Sequence, residues 1–494
     1  MECIGCKCNR PVAPTEGEPM TPTLPPYPAY KDSGVSWLGH VPEQWEVRRT
    51  KTLFQSRKQL NTDGSETNVL SLTLRGVVNN DPDNPEGLVP KDYKTYQIFE
   101  KDDLVFKLID LENIRTSRVG LVHERGIMSP AYVRLTLSGI GDIRFYYQQF
   151  FDLYLRCIYN QIGEGVRSTI GWSDLANVRI LAPPLPEQTA IVRFLDYMDR
   201  RIRRSIRAKQ KLIKLLEEYR QALIHQAVTG KIDVRTGKPY PAYKDSGVAW
   251  LGEVPEHWEV RRLGSMTQIL NGATPSSSVP EYWDGDIVWV TPDDLGKLKD
   301  RYIDDSSRRI TREGYDACGT TLAPAGSIVV STRAPIGHLG ILRIAACANQ
   351  GCRLLVPQAA TATEYLYHVL LAARPSLEVL GQGSTFLELS RSKLRAFLVP
   401  FPPLPEQTAI VEYLDAQTAK LDTAIAAARR EIELLLEYRE GLIADVVTGK
   451  VDVREVAAQL PEEPPEEVVE LFEEEAATGE ADGEDAKEET DDEE

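Results

Sequence analysis

The chain has 494 residues, 42% of them hydrophobic, seven cysteines and a formal net charge of −17. Its length exceeds what one core usually organises, no run is long and apolar enough to cross a bilayer, and no signal-peptide pattern opens it. A cytoplasmic protein of several domains, with reduced thiols, is therefore expected. The charge is concentrated at one end: Glu455 to Glu494 holds 19 acidic residues and one lysine, which leaves +1 on residues 1–454 (56 Lys and Arg against 55 Asp and Glu).

Residues 1–24 read as a disordered extension. Cys3, Cys6 and Cys8 have no Cys or His pair nearby to complete a closed zinc site, so no metal is expected, and Met20 offers an alternative start. Residues 25–186 read as a first globular domain. It opens on Tyr27 to Arg49, YPAYKDSGVSWLGHVPEQWEVRR, and continues with strand-like runs at Asn68–Leu74 and Asp103–Leu108, a turn-rich loop at Asp81–Gly87 and a helical stretch near Tyr146–Tyr159. Lys107, Asn113, Arg115, Ser117, Arg118, Arg125 and Tyr132 gather beside the strand ends. Arginine can read guanine in two-pronged fashion, and asparagine or glutamine can read adenine.

Residues 187–230 read as a long helix. Pro186 and Glu187 suit its first turn, and Gly230 suits its left-handed cap. Leu195, Ile202, Leu216 and Leu223 recur at sevens, interrupted by Lys209, with Met198, Leu212 and Tyr219 between them. A basic run from Arg193 to Lys214 reads as a solvated face or a contact with an acidic partner, with direct phosphate contact the lesser reading.

Residues 231–405 read as a second globular domain, again opening on YPAYKDSGVAWLGEVPEHWEVRR, Tyr240 to Arg262. Strand-like runs fall at Asp286–Val290, Gly326–Val330 and Arg353–Val356, with a helical stretch at Glu364–Ala373. Its polar cluster is Ser331, Thr332, Arg333, Asn349, Gln350 and Arg353. Residues 406–450 form the second helix, with Leu414, Leu421, Ala428, Leu435 and Leu442 at sevens and Ala424 and Ala428 small enough for close approach. Residues 455–494 are too charged to bury a core and read as a disordered acidic tail. Cys157, Cys318, Cys347 and Cys352 read as reduced core or near-core thiols.

The chain is thus written twice. PPLPEQTAIVRFLD from Pro183 returns as PPLPEQTAIVEYLD from Pro402, and EYRQALIHQAVTGKIDVR from Glu218 returns as EYREGLIADVVTGKVDVR from Glu437. The flanks are near-identical and the blocks between them share little sequence. The fold class expected is α+β: two globular domains joined by two long antiparallel helices with internal pseudo-two-fold symmetry. Each helix would bury the other's stripe, which makes Leu195, Ile202, Leu216, Leu223, Leu414, Leu421, Leu435 and Leu442 the candidate partner-binding residues. No phosphate loop, Gly-rich nucleotide fingerprint or N/D-P-P-Y/F motif is present, and the six histidines offer few acid–base groups. No catalytic residue is assigned, and a coiled-coil scaffold binding other proteins is the competing class.

The paired YPAYKDSG-V-x-WLG-x-VPE-x-WEV and PPLPEQ-x-x-IV-x-x-LD motifs around dissimilar blocks resemble type I restriction–modification specificity subunits. TPSSSVPEYWDGDIVWVTPDDL from Thr274, STRAPIG from Ser331, ANQGCRLLVP from Ala348 and LVHERGIMSPAYVRL from Leu121 are similar to that family's target-recognition domains. The resemblance covers roughly residues 27–454. It implies a non-catalytic chain whose two domains each read half of a split site on double-stranded DNA. The helices would set the spacer and dock two methyltransferase subunits, to which restriction subunits can add. It implies no cofactor on this chain, S-adenosylmethionine belonging to the methyltransferase. The DNA-binding candidates are then Lys107, Arg115, Ser117, Arg118, Arg125, Ser331, Thr332, Arg333, Asn349, Gln350 and Arg353.

Overall fold

A computed structural model describes residues 24–73, 76–80, 93–108, 118–162, 170–381 and 388–461. The cysteine-bearing extension with Met20, the Asp81–Gly87 loop, Asn113, Arg115, Ser117 and the tail beyond Pro461 lie outside the described residues. The chain forms two compact units, one of residues up to Arg203 with those from Leu435 onward, the other of Arg204–Leu434. Two uninterrupted helices of 44 residues, Leu185–Val228 and Leu404–Val447, each contribute to both units.

In the first unit, a hairpin of Tyr30–Asp32 and His40–Pro42 precedes Glu46–Arg49, which pairs antiparallel with Arg179–Ala182. A four-stranded sheet follows in the order Phe54–Gln55, Val133–Leu137, Leu104–Phe106, Val119–Leu121. Helix Ile143–Leu155 turns Phe145, Tyr146 and Phe150 into the core, where Phe150 meets Phe54 and Phe106 edge-on. Ile191 and Leu195 of the first long helix and Leu442 and Val446 of the second complete that core.

The second unit repeats this plan. Tyr243–Asp245 pairs with Glu253–Pro255, and Glu259–Arg262 pairs with Leu398–Phe401. Its main sheet has five strands, ordered Thr267–Asn271, Cys352–Pro357, Ile328–Ser331, Leu339–Leu342, Tyr302–Ile303. The central Ile328–Ser331 strand is buried throughout, as a run covered on both faces must be. Trp283–Val290 pairs with Arg309–Ile310 and Cys347–Ala348 in a smaller sheet. Both units are mixed α+β, as the alternating patterns predict.

The long helices lie antiparallel. In the second unit Lys209 pairs with Glu431, Glu217 with Arg429 at 3.3 Å, and Arg220 with Asp422, so numbers rise on one helix as they fall on the other. In the first unit Asp199 pairs with Arg439, and Leu195, Met198 and Ile202 line one small cavity with Leu442 and Ile443.

The stripe differs from the expectation in its middle. Leu212 and Tyr219 are exposed at 43% and 57%, whereas Lys209, Ile213, Leu216 and Arg220 are half-buried, and Lys209 and Arg220 take acidic partners from the second helix. Ala424 is exposed as well. In the middle of the second helix the buried positions are Ile425 and Ala428. Cys157 is exposed with φ +54°, where a core or near-core thiol was expected. Cys347 and Cys352 are buried, and desolvation pushes each thiol up to about 12.

Each long helix ends in the same device. Lys231 N–H donates to Gln226 O at 2.9 Å and Gly230 N–H to Ala227 O at 3.3 Å; Lys450 to Asp445 and Gly449 to Val446 repeat the pattern at 2.9 and 3.2 Å. Gly230 and Gly449 sit at φ +73° and +74°. A Cβ on Gly449 would come within 2.5 Å of the Pro42 ring, and one on Gly230 within 2.4 Å of Pro255. Gly449→Ala should therefore cost about 2–3 kcal/mol from strained φ and steric overlap together. An unchanged thermal midpoint would show that the close approach is unimportant.

Candidate nucleic-acid interface

Before any loop can present a side chain, each variable block must be held at its two ends, and a buried carboxylate does this. The Trp45 indole donates to Glu187 Oε2 at 2.6 Å, while Gln44 and Arg454 reach Oε1 at 3.2 and 3.3 Å. In the other unit Trp258 and Tyr240 donate to Glu406 Oε2 at 2.9 and 3.1 Å, and His257 and Arg235 face Oε1 at 2.9 and 3.5 Å. Glu187 and Glu406 stand in the first turn of their helices, where a negative charge is favoured. Each node joins the segment entering a block, the helix leaving it and the segment just past the end of the other long helix. The sequence reading gave Glu187 only its helix-dipole role. The signal it missed was the joint repetition of the PPLPEQ glutamate and the WEV tryptophan.

In the second unit three strand ends converge. Asn271 lies opposite Arg353, Ser331 opposite Cys352, and Arg333 bridges Glu388. This brings Arg333, Asn349, Gln350 and Arg353 to one end of the five-stranded sheet. Arg333 is exposed and ion-paired to Glu388 at 3.4 Å. Gln350 is exposed and bonded to Thr274. Asn349 Oδ1 accepts from Gly351 N–H at 2.9 Å. Arg353 is half-buried, donates to Gln350 O and Cys352 O at 3.0 and 2.9 Å, and has its pKa lowered by that burial.

Ser331 and Thr332 are fully buried, which corrects their assignment as DNA contacts. The Ser331 hydroxyl donates to Pro335 O at 2.7 Å and accepts from His338 N–H at 2.8 Å, and Thr332 Oγ1 donates to Gly351 O at 3.1 Å. Both hydroxyls shape the loops that carry Arg333 and Gln350. Arg308, stacked 3.7 Å from the Trp283 ring centroid, is a cationic aromatic pair that sequence reading did not find.

In the first unit Arg118 is only 3% exposed, so it too is corrected, as a buried side chain presents nothing to a duplex. Lys107 is half-buried, its backbone N–H donating to Arg118 O at 3.0 Å. Arg125 is exposed and braced by Glu66 and Glu100, each at 2.9 Å. Beside it the exposed Asn79, His123 and Glu124 form a hydrogen-bonded patch with the half-buried Asn68, Asn79 lying 2.9 Å from His123 and 3.2 Å from Asn68. Among the described residues no group of His, Cys, Asp and Glu could hold a metal ion, and no helix is long and apolar enough to cross a membrane.

The stripe named as partner-binding is also spent internally. Leu195 and Leu442 lie in the first unit's core, Leu223 and Leu414 in the second's, Ile202 is 2% exposed, and Leu216, Leu421 and Leu435 are half-buried. On the two long helices the large exposed apolar side chains within the second unit are Leu212, Leu215, Tyr219, Leu404 and Leu434.

Comparison with known proteins accounts for the duplicated plan. The family profile described as the type I restriction modification DNA specificity domain matches residues 42–215 and again 255–434. The chain belongs to that family. Among specificity subunits, it is 34% identical over 187 residues to the MjaIX specificity subunit of Methanocaldococcus jannaschii, an alignment covering 37% of this chain and 42% of that protein. The putative MjaX specificity subunit of the same organism is 23% identical over 440 residues, covering 84% of this chain and 96% of its own length. A solved chain from work on complex assembly and conformational transition of the type I R-M system superposes with a TM-score of 0.62 at 18% identity, over 83% of this chain and 99% of that one, which shows a shared fold. As a member of the specificity family, the chain serves DNA sequence recognition, with one specificity domain per variable block.

Proposed function

We propose that this chain is the non-catalytic DNA-reading subunit of a cytoplasmic type I restriction–modification complex, each unit reading one half of a bipartite site. The carrying observation is the junction built twice, Trp45–Glu187–Arg454 and Trp258–Glu406–Arg235, around blocks that share little sequence. Constant clamps on divergent blocks suit reading heads that change target while keeping one geometry. Arg333, Gln350 and Arg308 in the second unit, and Asn79, His123 and Arg125 in the first, are the exposed groups suited to base edges and phosphates. The helical pair would fix the spacer between half-sites. Catalysis and S-adenosylmethionine are assigned to two methyltransferase subunits, with restriction subunits joining them. Exchanging residues 50–178 for another family member's block should change one half of the methylated sequence and spare the other. Genome-wide mapping of methylated adenines reads this, and a change in both halves would refute the division.

The exposed Leu212, Leu215 and Tyr219 are the methyltransferase-docking residues on this reading. Replacing all three by alanine should weaken capture of the methyltransferase at least tenfold, about 1.4 kcal/mol or more, with the melting temperature unchanged. Undiminished capture would move the docking surface elsewhere.

A further inference from the structure

The described chain ends in a groove. Leu460 and Pro461 line it together with Arg144, Arg193, Asp196 and Arg200, enclosing about 430 Å³. The exit is fixed: the Arg193 guanidinium donates to Leu460 O at 2.6 Å, and the Leu460 side chain packs on the first unit's core. From this point 33 residues remain, Glu462 to Glu494, with 18 carboxylates and one lysine. The first long helix, by contrast, carries nine basic and two acidic residues between Arg193 and Lys214. The most acidic segment of the chain therefore departs from beside the start of its most basic one. At up to about 3.3–3.6 Å per residue its reach far exceeds the groove.

We propose that residues 462–494 dock in cis on this groove, their carboxylates against Arg193 and Arg200, and compete there with nucleic-acid phosphates. The competition rests on the DNA-reading function above, whereas the docking does not. A tethered polyanion raises the local concentration of carboxylate far above that of free ligand. It would discriminate against weak phosphate contacts, which supply most non-specific binding, and yield to a cognate site held by base contacts as well.

The test uses a fluorescein-labelled peptide of residues 462–494 and fluorescence anisotropy. A chain lacking those residues, in complex with its methyltransferase, should bind the peptide at 50 mM salt and release it at 300 mM. The full-length complex, its groove already filled, should bind at least tenfold more weakly. Arg193→Glu with Arg200→Glu in the tail-less chain should lose at least tenfold, at an unchanged melting temperature, and a peptide with glutamine for every glutamate should not bind. Failure of the tail-less complex to bind the peptide, or equal binding by the double variant, overturns the docking. On a non-target duplex at 50 mM salt the tail-less complex should bind about tenfold tighter than the full-length one, and equal affinities overturn the competition. If neither complex binds its target duplex, the DNA-reading function fails, and the peptide result still decides the docking.

Discussion

Replacing Glu406 by alanine is expected to destabilise the second unit by about 3 kcal/mol, near the lower edge of what breaking a buried ion pair costs. The Trp258 indole N–H and the Tyr240 hydroxyl would lose their acceptor inside the core, and each stranded donor costs roughly 1–3 kcal/mol. Arg235 is less affected, because it is half-exposed and keeps Asp233 at 2.9 Å. For a unit of this size the thermal midpoint should fall by about 6–12 °C, and a drop under 2 °C would contradict the account. Acid should have a related effect. Burial alone would raise the Glu406 pKa, but the hydrogen bonds from Trp258 and His257 and the Arg235 charge outweigh it and hold the carboxyl below its ordinary 4.5. A depressed folded-state pKa adds stability that is complete above the unfolded value and is lost as pH falls through the folded one. The midpoint should therefore drop below about pH 4.5, and Glu406→Gln should flatten that part of the profile.

Inserting seven residues into each long helix, after Leu216 and after Ile425, is expected to abolish modification of the original site and create a new one. Seven residues preserve the alternating three- and four-residue spacing of the seam, so the helices can still pair. They lengthen each helix by about 10 Å, on the order of three base pairs of duplex. Methylation mapping should return both half-sites unaltered with a longer gap. An unchanged gap would remove the helices as the ruler, and altered half-sites would mean that the insertion had distorted the reading heads.

The parts of this architecture legible in the sequence were those with a long-range signal. The duplicated flanks and the helical periodicity repeat or persist for many residues, and the short apolar runs at Asp286–Val290, Gly326–Val330 and Arg353–Val356 each fall on a strand. What escaped depends on a single side chain's direction. Ser331 and Thr332 look like loop hydroxyls in sequence, yet both are buried, with their hydroxyls bonded to Pro335 O and Gly351 O. Arg118 is buried too. Leu212 and Leu216 both fit the helical pattern, and only the packing of the helix separates the exposed one from the half-buried one. The glutamate nodes need three distant segments to meet, which no local pattern reports.

The hydrogen bond between Asp452 N–H and Pro25 O, 2.7 Å long, has a topological consequence. Its counterpart is Asp233 N–H to Lys238 O at 2.8 Å, and there the two residues are joined by four intervening ones. The polypeptide is in effect a ring cut once, in the first unit, where a short link would have closed it. Joining Arg454 to Pro25 through a few residues and opening the chain near Thr236 would keep every node, seam and strand pairing described above. A gene permuted in this way is expected to yield the same fold, and a lost thermal transition in the permuted chain would refute that.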